Sequence, residues 1–405
     1  MAKAFLEGIR VLDFSRVLAG PLCTMYLGDM GADVVKVESL NHGDDMRVWP
    51  PFRRSEDGRH SAGAPFLAWN RNKRGIALDL KSPASQGVVE RLIRSADIVI
   101  ESFGPGAARR LGLDAATVRA LDPRIIHCSI SGFGSVGPMR HGKGYDIILQ
   151  AFCGMLSATG EPGGGPVRTV FSPIDQGTGM HALAGILAAL HARHASGEGA
   201  SIEVSLFDTG TAQLSHILQN VWERNAEPER YGVGHESLCP YEAFETADRP
   251  LILGVANDAM WRAFCELAGL QPCAQDPRFN TNGNRVRNRE ACVALVREAL
   301  LRRPRDHWIA QLDAAGIPSA PLHNLGELSA HPHARASGMV FDYQHPAFGT
   351  LHGVAQPVRI DGERAALRRP PPLRGEHTSE VLRELGYAES EVEAFFSQGV
   401  ACDAT

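Results

Sequence analysis

One acid in this sequence stands where a carboxylate can do covalent chemistry. In FSPIDQGTGMHALAGILAALHAR, residues 171–193, Asp175 comes directly before an apolar helical pattern. An Asp at a helix N-cap stabilises the helix by about 1 kcal/mol relative to Ala, which is reason enough for an acid there. A second role is compatible with the first. The positive end of a helix favours the charged carboxylate, so Asp175 is expected to stay ionised. Small neighbours, Gly177, Thr178 and Gly179, are expected to leave backbone N–H groups open to a ligand. An ionised acid beside free amides suits acyl chemistry, in which the acid attacks and the amides hold the developing oxyanion.

Three basic segments suggest what such an acid would meet. WNRNKRGIALDL places Arg71, Lys73 and Arg74 just before an apolar strand. ESFGPGAARRLG puts Arg109 and Arg110 behind a tight Gly104-Pro105-Gly106 turn, and HGKGYDI adds Lys143, Tyr145 and Asp146. Each segment alone reads as a solvated basic turn. Together they can converge on one polyanionic ligand, with Lys as a point charge and Arg as a planar fork. A dinucleotide is disfavoured. Glu38 ends the second strand where a ribose-binding acid would lie, but the first turn, DFSRVLAGPL, lacks G-x-G-x-x-G. Only its backbone amides at the helix start could meet a phosphate.

Elements able to position these residues are legible in order. IRVLDFS, ADVVKVES, GIALDL, DIVIESF and RIIHCSIS read as strands, with AGPLCTMYLGDMG and SPASQGVVERLIRSA as helices between them. This alternation predicts an α/β fold: a Rossmann-like parallel sheet with helices on both faces and ligands beyond the carboxyl ends of the strands. Residues 172–196 carry a helix with Met180, Leu183, Leu187 and Leu190 on one face. SIEVSLFDTGTAQLSHILQNVW continues with a strand and a helix. From about residue 225 a loop-like stretch leads to LILGVAND, a strand, and to three helical patterns. The expected division is a large domain over 1–225, a small α/β domain over 226–325, and a return to the large domain over 326–405.

With 405 residues, a net charge of -5 and 21% charged residues spread along the chain, nothing suggests a nucleic-acid groove or a membrane patch. The N-terminus lacks the apolar core of a signal peptide, and ALAGILAAL is too short to span a membrane. The eight cysteines form no C-x-x-C pair and read as reduced thiols of a cytoplasmic protein. HPH at 331–333 and HARH at 191–194 lack companion ligands at zinc-site spacing, so no metal site is expected.

Taken together, VLDFSRVLAGPLCTMYLGDMGADVVKVES, GDDMRVWP, NRNKRGIALDLKSP, ESFGPGAARRLG, GKGYDI, SPIDQGTGMHALAGILAALHAR, GEGASIEVSLFD and PLRGEHTSEVLRELGY resemble the family III CoA-transferases. This CaiB/BaiF family includes formyl-CoA transferase, carnitine CoA-transferase and alpha-methylacyl-CoA racemase. The resemblance covers nearly the whole chain. It implies a homodimer of interlocked subunits and no tightly bound cofactor, with coenzyme A and acyl-CoA as substrates and a carboxylic acid as acceptor. It makes Asp175 the nucleophile, working through aspartyl anhydride and aspartyl-CoA thioester intermediates. It assigns Arg16, Val17, Leu18, Lys73, Arg74, Phe103, Arg110, Leu111, Lys143 and Tyr145 to CoA binding. Trp49 and Asp146 fall at the acyl pocket, with Asp146 beside the nucleophile. His235, Glu236 and Ser237 replace a glycine run of formyl-CoA transferase and either shape the acceptor pocket or form a solvated linker.

One departure bears on the reaction. The racemase branch has a histidine where this chain has Tyr145, and racemisation needs a base on each face of the α-carbon. A tyrosine of ordinary pKa is a poor base, so transfer is favoured over racemisation. A CoA-binding protein without chemistry is the further alternative. A small dicarboxylate pair, such as succinate with an acid of the itaconate or mesaconate type, is the expected substrate class.

Overall fold

A computed structural model describes residues 4–404. The chain divides into two compact units. One comprises the chain up to Cys153, Thr169–Ser215 and the stretch from Pro332 onward; the other comprises Gly154–Arg168 and His216–His331. The second unit is thus longer than the expected 226–325. Arg230 explains part of the difference, because its guanidinium donates to the carbonyls of Ser157 and Gly164 and ties the glycine-rich stretch to this unit.

The first unit is built on six parallel strands: β1 (Arg10–Phe14), β2 (Asp33–Ser39), β3 (Lys73–Leu78), β4 (Ile98–Glu101), β5 (Ile126–Ser131) and β6 (Ser201–Ser205). Their order across the sheet is β3-β2-β1-β4-β5-β6, and the terminal strand Ala401–Cys402 adds antiparallel to β3. Chain direction across the sheet therefore reverses between β1 and β4. Loops leaving neighbouring strands on opposite sides of such a point part and leave a crevice at the carboxyl ends. The strands are apolar because both faces are covered. Leu12, Phe14, Val35, Val37, Ile76 and Leu78 pack with Val88 and Leu92 from a helix over Gln86–Arg94 and with Val381, Leu382 and Val392 from the tail.

Three helices position the residues of interest: α1 (Ala19–Asp29), α2 (Asp146–Phe152) and α3 (Pro173–Ser196). α3 starts at Pro173, a good first helical residue, and stops at Gly197, whose φ of +74° suits a residue without Cβ. Of the row Met180, Leu183, Leu187 and Leu190, only Leu183 is on the buried face of α3. Thr178, Gly179, Ala182, Leu183 and Ile186 face inward, while Met180 is 42% exposed. Close packing against α1 decides this. A Cβ on Gly179 would lie 2.5 Å from the carbonyl oxygen of Ala19, so only the small-residue face can approach.

The second unit has a three-stranded antiparallel sheet, ordered Ser319–Pro321, Leu251–Gly254, Tyr241–Phe244. Helices over Asp258–Leu267, Arg289–Leu300 and Arg305–Ala314 enclose a core of Trp261, Phe264, Phe279, Val296, Leu300 and Trp308. Among the described residues no helix is long and apolar enough to cross a membrane, no group of three metal-ligating side chains assembles, and all eight cysteines are free.

Candidate active site

A cleft of about 730 Å³ opens over the carboxyl ends of β1, β4, β5 and β6. Its walls are the Arg16–Gly20 turn after β1, the Glu101–Gly106 turn after β4, and the Ser129–Ser135 and Arg140–Tyr145 segments after β5. Close approach of glycines joins the last two. A Cβ on Gly132 would stand 2.7 Å from the amide of Gly144, and one on Gly144 would stand 2.7 Å from the Cα of Gly132. Arg16, Arg109, Arg140 and Lys143 bring four cations to this lining.

Asp175 lines the same cleft as the third residue of α3, so it is not the helix cap. The capping is done by Asp146, whose carboxylate accepts the amides of Ile174 at 2.9 Å and Asp175 at 3.1 Å. Pro173 has no N–H, and the Gln176 amide donates to the Ser172 carbonyl. The expected open amides at Gly177, Thr178 and Gly179 are therefore absent: those residues lie inside the helical ladder, and the first turn is already satisfied. Gly177 and Gly179 serve packing, against Gln213 and Ala19.

Among the described residues no donor reaches the carboxylate oxygens of Asp175. Burial pushes its pKa up, and the like charge of Asp146 adds to this, bringing it to about 7. The helix end does not hold the Asp175 carboxyl in its usual range, because burial outweighs it and the Asp146 carboxylate at the same helix end adds a like charge. A half-buried acid with unengaged oxygens, open to a ligand cleft and with its pKa raised to about 7, has the properties that a nucleophile or a general base needs.

The other expected residues divide. Arg16, Val17, Leu18, Phe103, Lys143 and Tyr145 line the cleft. Arg16 is exposed and pairs with Asp45 at 3.2 Å, and the amide of Phe103 donates to Glu101. Lys73 and Arg74 do not reach the cleft. The strand begins earlier than GIALDL suggests, so both sit at the amino end of β3, opposite the carboxyl ends where ligands bind. Lys73 is 0% exposed, and its ammonium is shared among the Asp13 carboxylate, the Pro21 carbonyl and the Asn70 side chain, each at 3.0 Å. Arg74 pairs with Asp33, Glu380 and Glu384. Of the three basic segments, those carrying Arg109 and Lys143 do reach the cleft, and the loop after β1 adds Arg16 in place of the third.

Arg110 and Leu111 also stand outside the lining, where Ala108 and Arg109 take the corresponding place. Leu111 packs against the main core instead. Trp49 is 40% exposed and does not line the cleft. Asp146 is buried, with its oxygens directed to the start of α3 and to the Gln150 amide rather than to a substrate. His235, Glu236 and Ser237 belong to the second unit. Glu236 pairs there with Arg224 and Asn220, and the Ser237 amide donates to His235 Nδ1 at 3.0 Å.

Sequence reasoning missed several groups around the cleft. Lys36 and Asp13 lie inside the apolar runs VVKVES and VLDFS, and that interruption was the available signal. Glu101 ends β4 in the cleft wall, accepts from Ser129 and the Phe103 amide, and has its pKa raised by burial. Gln150 gave no signal, since an amide one turn beyond an acid on a helix is ordinary.

A doubly wound sheet whose crevice is lined by four cations, and by an acid that accepts no hydrogen bond from the described residues, is an α/β arrangement suited to an anionic ligand. The comparisons supply the family. Residues 6–378 match the sequence profile of CoA-transferase family III, and the chain belongs to that family. It is 36% identical over 397 residues to a mouse protein named succinyl-CoA:glutarate CoA-transferase, covering 98% of this chain and 90% of that one. It is 38% identical to the succinate--glutarate CoA-transferase of Agrobacterium fabrum, covering 95% of this chain and 96% of that one. Among solved structures, a CAIB/BAIF family protein from Brucella suis superposes with a TM-score of 0.83 at 35% identity, covering 94% of this chain and 99% of its own. The protein is accordingly an enzyme of the CoA-transferase class.

Proposed function

We propose that the protein transfers CoA from a small dicarboxylic acyl-CoA to a second dicarboxylic acid, with Asp175 as the nucleophile. The observation that carries this is the Asp175 carboxylate, which lines the cleft with no donor on its oxygens among the described residues. An Asp175 oxygen attacks the thioester carbon, the C–S bond breaks, and a mixed anhydride and CoA thiolate result. The thiolate attacks the aspartyl carbonyl, releasing the donor acid and leaving an aspartyl-CoA thioester. The acceptor carboxylate attacks that thioester, giving a second anhydride and thiolate. Attack of the thiolate on the acceptor's acyl carbon then frees Asp175. Each step exchanges one acyl bond for another, so the cycle needs neither nucleotide hydrolysis nor a redox partner.

Arg16, Arg109, Arg140 and Lys143 are suited to the phosphates of CoA and to the second carboxylate of a dicarboxylic substrate. The names of the mouse and Agrobacterium relatives support succinate and a C5 acid as the pair. The working form is a homodimer with interlocked subunits. Ile147, Ile148 and Phe152 on α2, with Phe171 and Met180 at α3, are 38–53% exposed, which is an unusual apolar face for a free surface.

The test is chemical. After incubation with succinyl-CoA and quenching with hydroxylamine, the peptide spanning 169–193 should carry a hydroxamate at Asp175, seen as a mass shift. The D175N variant should bind CoA and transfer nothing. Sustained turnover by D175N, with reversion by deamidation checked by mass, would remove Asp175 from the reaction.

A further inference from the structure

The turn after β1 is built in an unfavourable way. Val17 has a φ of +68°, a region that β-branched residues rarely enter. Residues held there cost about 1–3 kcal/mol and persist only where surrounding structure over-determines them. Here two buried groups do so. The Val17 amide donates to both oxygens of Asp44, at 3.2 and 3.3 Å. Lys36, 0% exposed, pairs with Asp44 at 2.9 Å and donates to the Ser15 carbonyl at 2.9 Å. The backbone is thus gripped on both sides of Arg16, at Ser15 O and at Val17 N, by two side chains that grip each other. Asp44 is itself held, because its amide donates to Glu38 and Glu38 pairs with Arg47. On the other side, the Arg16 amide donates to Ser102 in the turn after β4.

Neither Lys36 nor Asp44 lines the cleft, yet the residues between their anchor points do. We propose that Lys36 and Asp44 are positioning residues for acyl-CoA: they hold Val17 in the left-handed conformation and so fix the Arg16–Leu18 wall before the ligand arrives. This rests on the CoA-transferase reading given above. Without the clamp Val17 relaxes to an ordinary β or right-handed φ, the next peptide turns over, and binding must first rebuild the wall.

The experiment measures CoA binding by calorimetry and transfer kinetics for wild type, D44N, V17G and the double variant. Asn keeps the shape of Asp44 but loses the charge that holds Lys36 and offers one acceptor oxygen to the Val17 amide. Loss of a pre-formed turn at this scale should weaken CoA binding about tenfold. The acyl-CoA KM should rise in step, with kcat and the acceptor KM within about twofold of wild type. Glycine adopts positive φ without steric cost, so V17G added to D44N should restore CoA affinity to within about threefold. A D44N protein with lowered Tm but unchanged CoA affinity overturns the proposal, as does a loss of affinity that V17G leaves uncorrected. V17P covers the case in which D44N does not fold, because Pro excludes positive φ and removes the donor to Asp44. It should bind CoA at least tenfold more weakly, and unchanged affinity again overturns the proposal. Wild-type protein that binds no CoA defeats the transferase reading itself, a result distinct from any of these.

Discussion

Asp146 caps the helix that carries Asp175: one carboxylate oxygen accepts the amides of both Ile174 and Asp175. A single contact therefore does two things. It fixes the backbone from which the Asp175 side chain projects, and it places a second negative charge near the first. Burial is the larger cause of the raised Asp175 pKa and the Asp146 charge the smaller.

The rate should show this directly. If Asp175 is the nucleophile proposed above, only its ionised form can attack a thioester, so kcat/KM for acyl-CoA should fall tenfold per pH unit on the acid side of about 7 and level off above it. Removing the second charge should lower the pKa of the first. In D146N the acid limb is expected to move to lower pH, while the plateau falls because an Asn oxygen caps the helix less well. An acid limb that stays in place in D146N would assign that titration to another group.

Stability should carry the same signature with a defined sign. The unfolded chain releases the Asp175 proton near 3.8, whereas the folded protein keeps it to about 7. Between those values the native state binds more protons, so stability falls as pH rises through that window. The penalty is absent below about pH 4 and complete above about pH 7. Asn carries no such penalty. D175N should therefore melt at a higher temperature than wild type at pH 8, by a few degrees, and the difference should shrink toward zero at pH 4. A difference that is constant with pH would mean that Asp175 titrates normally in the folded state.

The order of strands and helices was readable because each strand is a short apolar run bounded by turn residues. The acid at 175 was readable because it stands directly before an apolar helical pattern. What the pattern could not convey was three-dimensional. Lys73 and Arg74 read as loop cations because charge marks solvent in a one-dimensional sequence; inside a sheet, Asp13, Asp33 and the tail acids Glu380 and Glu384 neutralise them. The leucine period marked one face of α3 but not the small-residue face, because contact with α1 selects for small size rather than hydrophobicity. The cap on α3 escaped because its acid is 29 residues away in sequence.

Two lysines should then behave in opposite ways. Lys73 is enclosed against Asp13, whose carboxyl burial alone would raise; Lys73 and Lys36 outweigh burial and hold it well below the usual range. Removing one partner of such a pair leaves an uncompensated buried charge, at a cost of about 3–5 kcal/mol. K73M should lower the free energy of unfolding by that amount, and D13N added to it should recover much of the loss. The folded fraction of K73M should bind acyl-CoA nearly as wild type does. Lys143 is exposed at the cleft. K143A should leave the midpoint unchanged and raise the acyl-CoA KM about tenfold, the scale of one charge-assisted contact. Because an exposed contact is screened by ions, that difference should narrow as salt is raised. Equal effects of the two variants on KM would return Lys73 to the binding site, against its complete enclosure.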